Sequence, residues 1–146
     1  MSPETSLSYD IEIRHVEARD VSEIADLYRA GGWWQEAWDT EGITPLIKGS
    51  SAFVVAIDRK TSRAIGMGRL ISDDVSDGYI QDVVVYPQYR KSGIGGRIVS
   101  ALVASGKSKG LGWIGLIAQP GSELFYTELG FQPMKGHTPM LYKGGD

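Results

Sequence analysis

The sequence predicts an α/β (α+β) domain built on a mixed, mainly antiparallel sheet of six to seven strands with flanking helices. Three observations carry this. Apolar runs between Ala52 and Val85, separated by polar turns, describe an antiparallel meander. From Tyr79 to Ala118 a strand, a glycine-rich turn, a helix and another strand follow in order, a crossover that makes the two strands parallel. Ahead of both, an alternating strand runs into a capped helix.

At 146 residues the chain is expected to form one domain over 1–146, large enough to bury a core without crosslinks. A hydrophobic content of 42% with 23% charged residues is ordinary for a soluble globular protein, and no apolar run is long enough to span a bilayer as a helix. The first ten residues have neither a basic start nor an apolar run, so they do not resemble a signal peptide; flexibility is expected there and a cytoplasmic location for the chain. Without cysteine there are no disulfides, thiolate metal sites or cysteine nucleophiles. A net charge of −3 opposes general nucleic-acid binding, which needs a basic face. Neither nucleic acid nor membrane is therefore an expected partner.

Ile11, Ile13 and His15 alternate with Glu12 and Arg14 as a half-buried strand. Asp20 is placed to cap the next helix, with Glu23 completing a capping box; Val21, Ile24, Ala25, Leu27 and Tyr28 form its apolar stripe, and Gly31-Gly32 ends it. Ile43, Leu46 and Ile47 indicate a short second helix stopping at Gly49. Ala52 to Ile57 and Ala64 to Ile71 make a hairpin around Asp58 to Ser62, and Tyr79 to Val85 returns as the third strand. A helix from Gly93 or Gly95 to about Lys109 follows, with Ile94, Ile98, Ala101, Leu102 and Ser105 on one face. Trp113 to Ala118 is then a strand, Ser122 to Leu129 a short helix closed by Gly130, and Phe131 to Tyr142 one or two last strands.

The turn from Tyr86 to Arg97 is built for an anion. Glycines let the backbone approach closely, and the first N–H groups of the following helix lack internal partners and sit at the positive end of its dipole. Arg90, Lys91 and Arg97 add full charges, and the segment from Tyr86 to Val99 holds no acid. Such a turn also occurs for purely structural reasons, and its phosphate role gains weight from a second segment. There Phe125-Tyr126-Thr127-Glu128-Leu129-Gly130-Phe131 closes a helix on a Gly-Phe pair.

Together the two segments resemble the GCN5-related N-acetyltransferase (GNAT) superfamily. Its cofactor motif, Arg/Gln-x-x-Gly-x-Gly/Ala between a strand and a helix, is matched by Arg90-Lys91-Ser92-Gly93-Ile94-Gly95, and its later Phe/Leu-Tyr-x-x-x-Gly-Phe motif by Phe125 to Phe131. The order of motifs and elements is similar across nearly the whole chain. Gln119 stands where many members carry Asn and Ser122 where many carry Ala, so the cofactor contact of that Asn is replaced or lost here.

The resemblance implies an acyl-CoA N-acyltransferase fold, acetyl-CoA as cosubstrate, no metal, and direct transfer to a primary amine in a ternary complex. The amine sits on a small molecule or a peptide, and a homodimer is a common arrangement in the family. The pyrophosphate of coenzyme A would lie on the N–H groups around Lys91, Ser92, Gly93, Ile94, Gly95 and Gly96, flanked by Arg90 and Arg97, with Gln119 as a further contact. The amide-bearing pantetheine arm would pair with the strand matching Val83, Val84 and Val85, where the Val83 N–H would also serve as oxyanion donor. Tyr126 matches the general acid that protonates the leaving thiolate.

The acceptor amine is protonated at neutral pH and needs a base, for which Asp82, Asp77 and Glu36 are candidates. Asp82 directly precedes the cofactor strand. Trp33, Trp34 and Trp38, mixed with Glu36, Asp39 and Glu41, could hold a cationic amine or simply pack the core. Of these, Trp33, Trp34 and Glu36 are taken as acceptor-binding residues. His15 and His137 are too isolated for metal ligation. A rival from another class is a CoA or acyl-CoA sensor module without turnover. A nucleotide-binding protein is disfavoured because the Gly-Lys-Ser/Thr of a P-loop is missing.

Overall fold

A computed structural model describes residues 9–144. The chain divides into two compact units, Met1–Leu116 and Ile117–Asp146. The first unit contains β1 (Ile11–His15), α1 (Val21–Ala30), α2 (Ile43–Gly49), β2 (Ala52–Asp58), β3 (Arg63–Ile71), β4 (Asp77–Val85), α3 (Ile94–Ser108) and β5 (Trp113–Gly115). Single 3-10 turns precede α2 at Thr40–Gly42 and α3 at Pro87–Tyr89. The second unit contains α4 (Glu123–Glu128).

The sheet runs β1-β2-β3-β4-β5, antiparallel except for the parallel β4–β5 pair, as the crossover through α3 requires. It has five strands among the described residues rather than six to seven. Among the described residues no strand forms between Phe131 and Tyr142, where Pro133 and Pro139 lack ladder donors and Gly136 takes a positive φ of 78°. Strand β5 ends at Gly115 instead of Ala118, and Ile117 and Ala118 are exposed.

Strand β2 is buried along its whole length because both of its faces are covered, so it reads as a continuous apolar run. Phe53, Val55 and Ile57 join Ile24, Leu27, Tyr28, Ile43 and Ile47 in a core on the α1 and α2 side. By strand alternation Val54 and Ala56 face the other way, towards α3. Opposite them in register stand Gly68 and Gly66 of β3. A methyl group on Gly68 would lie 2.9 Å from Ile98 Cγ2 and one on Gly66 3.1 Å from Ile98 Cδ1, so these glycines let α3 sit close to the sheet. Ile98 and Leu102 are fully buried by this approach, each contributing about 1.5–3 kcal/mol. The buried face of α3 comprises Ile94, Ile98, Val99, Leu102 and Gly106; Ala101 and Ser105 lie only half-buried at its border.

Asp20 caps α1 as its sequence suggests, accepting from the N–H groups of Ser22 and Glu23. Glu23 does not complete the capping box. Its Oε1 accepts instead from the Ala64 N–H at 2.7 Å and from Arg19 Nη2 at 3.2 Å, tying α1 to the start of β3. Helix α3 is fastened at both ends. Arg97 Nη2 donates to the Ile11 carbonyl of β1 at 3.1 Å, and Lys109 Nζ to the Ser51 carbonyl and hydroxyl before β2 at 2.7 and 2.6 Å.

The flexibility expected for the first ten residues falls, for 1–8, outside the described residues. Tyr9 and Asp10 are held: Tyr9 packs on Tyr89 with ring centroids 4.5 Å apart and donates to the Gln88 carbonyl at 3.1 Å, while Asp10 pairs with Arg59 at 2.8 Å.

Candidate active site

Between β4 and α3 the chain exposes a line of backbone donors. Lys91 and Gly93 both adopt left-handed conformations, with φ of 64° and 82°, and Gly93 is the N-cap of the 15-residue α3. The first backbone bond of that helix is Arg97 N–H to the Gly93 carbonyl, at 3.2 Å. Among the described residues the N–H groups of Lys91, Ser92, Gly93, Ile94, Gly95 and Gly96 donate to no protein acceptor. They gather at the positive end of a helix dipole whose first turn carries no acid.

The three cations there differ in commitment. Arg90 folds back so that its Nε donates to the Val85 carbonyl at 2.9 Å, Arg97 reaches β1, and Lys91 projects into solvent. Among the described residues none of the three pairs with a carboxylate. The Ser92 hydroxyl donates to the Tyr89 carbonyl, which leaves the Ser92 side chain holding the turn rather than reaching outward. Unsatisfied N–H groups and unneutralised cations fit a polyanion such as a pyrophosphate.

Strand β4 supplies the adjoining surface. It pairs with β5 only from Asp77 to Tyr79, and beyond Tyr79 no strand among the described residues pairs with that edge. Its other edge stays on β3, Val84 opposite Met67 and Val85 opposite Gly66, with a register shift that leaves Asp82 and Val83 across from Gly68. Asp82 sits in this irregularity with φ of 64°, a conformation uncommon for a residue with a side chain. An open strand edge beside the anion site can take an extended chain of amides by strand addition.

Asp82 is held by two donors. Tyr28 Oη and Arg69 Nε each donate to its Oδ2 at 2.7 Å, and its side chain is only 11% exposed. Oδ1 has no protein partner among the described residues and keeps contact with solvent. Burial, reinforced by the Asp82 carboxylate, pushes the Tyr28 phenol far above its ordinary range, so it stays protonated.

Tyr28 also lines a cleft of about 280 Å³ with Trp34, Trp38, Asp39, Gly42, Ile43 and Leu46. The aromatic segment predicted to receive the acceptor therefore splits. Trp33 and Trp34 both pack against the core beside Tyr28, but of the two only Trp34 lines the cleft, edge-on to Trp38 at 5.6 Å. Glu36 is outside the lining, largely exposed and paired with Arg29 at 3.3 Å, and Asp77 is exposed at the start of β4. Sequence patterning missed Tyr28, whose hydroxyl is hidden within an apolar stripe, and did not single out Asp39.

In the second unit Tyr126 packs edge-on against Phe125 and Phe131, at 4.8 and 5.9 Å, and burial raises its pKa. Its hydroxyl has no protein partner among the described residues and is not sealed from solvent. The Gln119 carbonyl accepts from the Ser122 N–H at 3.0 Å and hydroxyl at 2.7 Å, which shapes the entry to α4, and its side chain is exposed.

Comparison with known proteins agrees with this architecture. An uncharacterized N-acetyltransferase of Prochlorococcus marinus is 30% identical over 128 residues, covering 84% of this chain and 68% of its own length. The chloroplastic GCN5-related N-acetyltransferase 1 of Arabidopsis thaliana is 28% identical over 118 residues, 81% of this chain and 59% of that protein. A GNAT-family acetyltransferase from Streptococcus pneumoniae superposes with a TM-score of 0.77 at 24% identity, covering 93% of this chain and 99% of that one. The protein AAC(6')-Iy, solved in complex with the bisubstrate analogue CoA-S-monomethyl-acetylneamine, gives a TM-score of 0.72 at 17% identity, covering 91% and 97%. These last two show the shared fold. Residues 17–131 match the family model of the acetyltransferase (GNAT) family, and the chain belongs to that family.

Proposed function

We propose that this chain transfers an acetyl group from acetyl-CoA to a primary amine by direct attack within a ternary complex. The observation that carries it is the run of unpartnered N–H groups from Lys91 to Gly96 beside the unpaired edge of β4. The first would hold the pyrophosphate, with Arg90, Lys91 and Arg97 countering its charge. The second, from Ile80 to Val85, would bind the amides of the pantetheine arm. Bound acetyl-CoA supplies an activated thioester. The Val83 N–H is assigned to the oxyanion that develops on attack.

Asp82 Oδ1, without a protein hydrogen-bond partner among the described residues while Oδ2 is held, is the assigned acceptor for the amine proton through water. Paired with Arg69 at 2.7 Å, the Asp82 carboxylate is assigned a charge role as well as a lone pair. The acid role of Tyr126 rests on its motif position, and a raised pKa keeps its proton available for donation at neutral pH.

A panel of primary amines assayed for thiol release, with calorimetric titration of CoA, tests the function. Expected are saturable CoA binding and amine-dependent release above the hydrolysis background. Binding without release on any amine would make the chain a CoA-binding module.

A further inference from the structure

Resting on that function, we propose that the acceptor is a primary amine carried on an apolar body, seated in the cleft between α1 and α2 with its nitrogen against the Tyr28 hydroxyl oxygen. The cleft walls are Trp34, Trp38, Ile43 and Leu46. Among the described residues that line it, Asp39 carries the only charge. No lining cation is there to hold a phosphate or carboxylate substituent. One carboxylate at the edge does not match the several charges of a polyamine. Sugar hydroxyls would lose water against indole and aliphatic walls with few partners in exchange, which costs free energy for each group left unpaired.

Tyr28 brings to the lining a hydroxyl whose polarity is fixed. Its proton is committed to Asp82 Oδ2 at 2.7 Å, so the hydroxyl can offer a guest only its lone pairs. It therefore accepts from an N–H and does not donate to a carbonyl or carboxylate. Arg69 Nε donates to the same oxygen at 2.7 Å, so Oδ2 is the acceptor of both bonds. Asp82 itself adjoins Val83 on β4, so an amine bonded to Tyr28 is one side chain away from the strand assigned to the thioester.

The walls are set before any guest arrives. Trp34 lies under the Arg29 guanidinium at 5.5 Å and edge-on to Trp38, and the Asp39 carboxylate is held by the Glu41 N–H at 2.9 Å. The volume of about 280 Å³ is roughly the share of nine water molecules in the liquid. A guest the size of 2-phenylethylamine fits that space.

The test measures kcat/KM for 2-phenylethylamine and hexylamine against glucosamine and spermidine at saturating acetyl-CoA. At least a tenfold preference for the apolar pair is expected, and polar amines that match or exceed them overturn the proposal. Tyr28→Phe should raise the amine KM about tenfold and leave the acetyl-CoA KM unchanged; an unchanged amine KM in a folded variant removes Tyr28 from the site. Should Tyr28→Phe fail to fold, Trp38→Ala, at a half-exposed wall, is expected to raise the apolar-amine KM selectively, and equal effects on all four amines count against the cleft. If no amine turns over, the acetyl-transfer function fails, and tryptophan fluorescence judges the cleft separately. Saturable quenching by 2-phenylethylamine supports it and no saturable response overturns it.

Discussion

The Tyr89 hydroxyl donates to Asp58 Oδ2 across 2.7 Å, joining the turn before α3 to the end of β2. Asp58 is only 5% exposed and its other oxygen accepts from the Lys60 N–H at 3.0 Å. Since the Tyr89 carbonyl holds Ser92, this bond fixes one side of the anion-binding turn. The Asp58 hydrogen bond, followed by partial burial, pushes the Tyr89 pKa up to about 12, above the usual value of about 10. The folded state thus keeps a proton that the unfolded chain has lost, so this stabilisation is complete below about pH 10 and disappears as pH rises towards 12. Urea midpoints should fall more steeply over that window in the wild type than in Tyr89→Phe, and parallel profiles would contradict the assignment. At neutral pH, Tyr89→Phe should cost about 1–2 kcal/mol and raise the acetyl-CoA KM with kcat retained.

Gly93 separates backbone strain from ligand contact. An added Cβ meets no atom within 4 Å, but φ is 82°, so Gly93→Ala carries left-handed strain and no packing clash. A stability loss of about 1 kcal/mol is expected. The methyl would stand among the free N–H groups, and CoA affinity by calorimetry should drop about tenfold. Unaltered affinity would place the anion elsewhere.

The Arg69–Asp82 pair, with side chains 18% and 11% exposed, is buried enough for its partners to depend on each other. Asp82→Ala or Arg69→Ala should each destabilise by about 3 kcal/mol, because the survivor is left buried without a partner. The double variant should lose less than the sum. Denaturation of the four proteins gives the coupling, and strict additivity would show the contact contributes nothing to stability.

Tyr126→Phe keeps the ring that packs on Phe125 and Phe131 and removes the hydroxyl. Loss of a general acid predicts a fall in kcat of about a hundredfold or more with CoA binding intact. Wild-type turnover in this variant would leave Tyr126 as a packing residue only.

Elements with their own local signals were legible in the sequence. The Asp20 cap, the Gly31-Gly32 stop, the β2–β3 hairpin and the strand, turn and helix around Gly93 all follow from periodicity and turn chemistry. The shortened β5 was not, because the extent of a parallel strand depends on how long its neighbour stays alongside. Phe131 to Tyr142 offered apolar residues, but Pro133, Gly136 and Pro139 outweigh them. Asp82 gave no warning of a positive φ, and Tyr28 counted as an apolar-stripe residue. The partner that makes its hydroxyl matter lies 54 residues further on.

Helix α3, fastened to β1 through Arg97 and to the start of β2 through Lys109, has little freedom to tilt or slide. Its terminal amides are therefore in position before a ligand arrives, and the conformational entropy of aligning them has already been lost in folding. Loosening the far end, at Lys109, should weaken anion capture at the opposite end of a 15-residue helix without touching the ligand. In this chain, affinity at one tip is a property of how the whole rod is clamped.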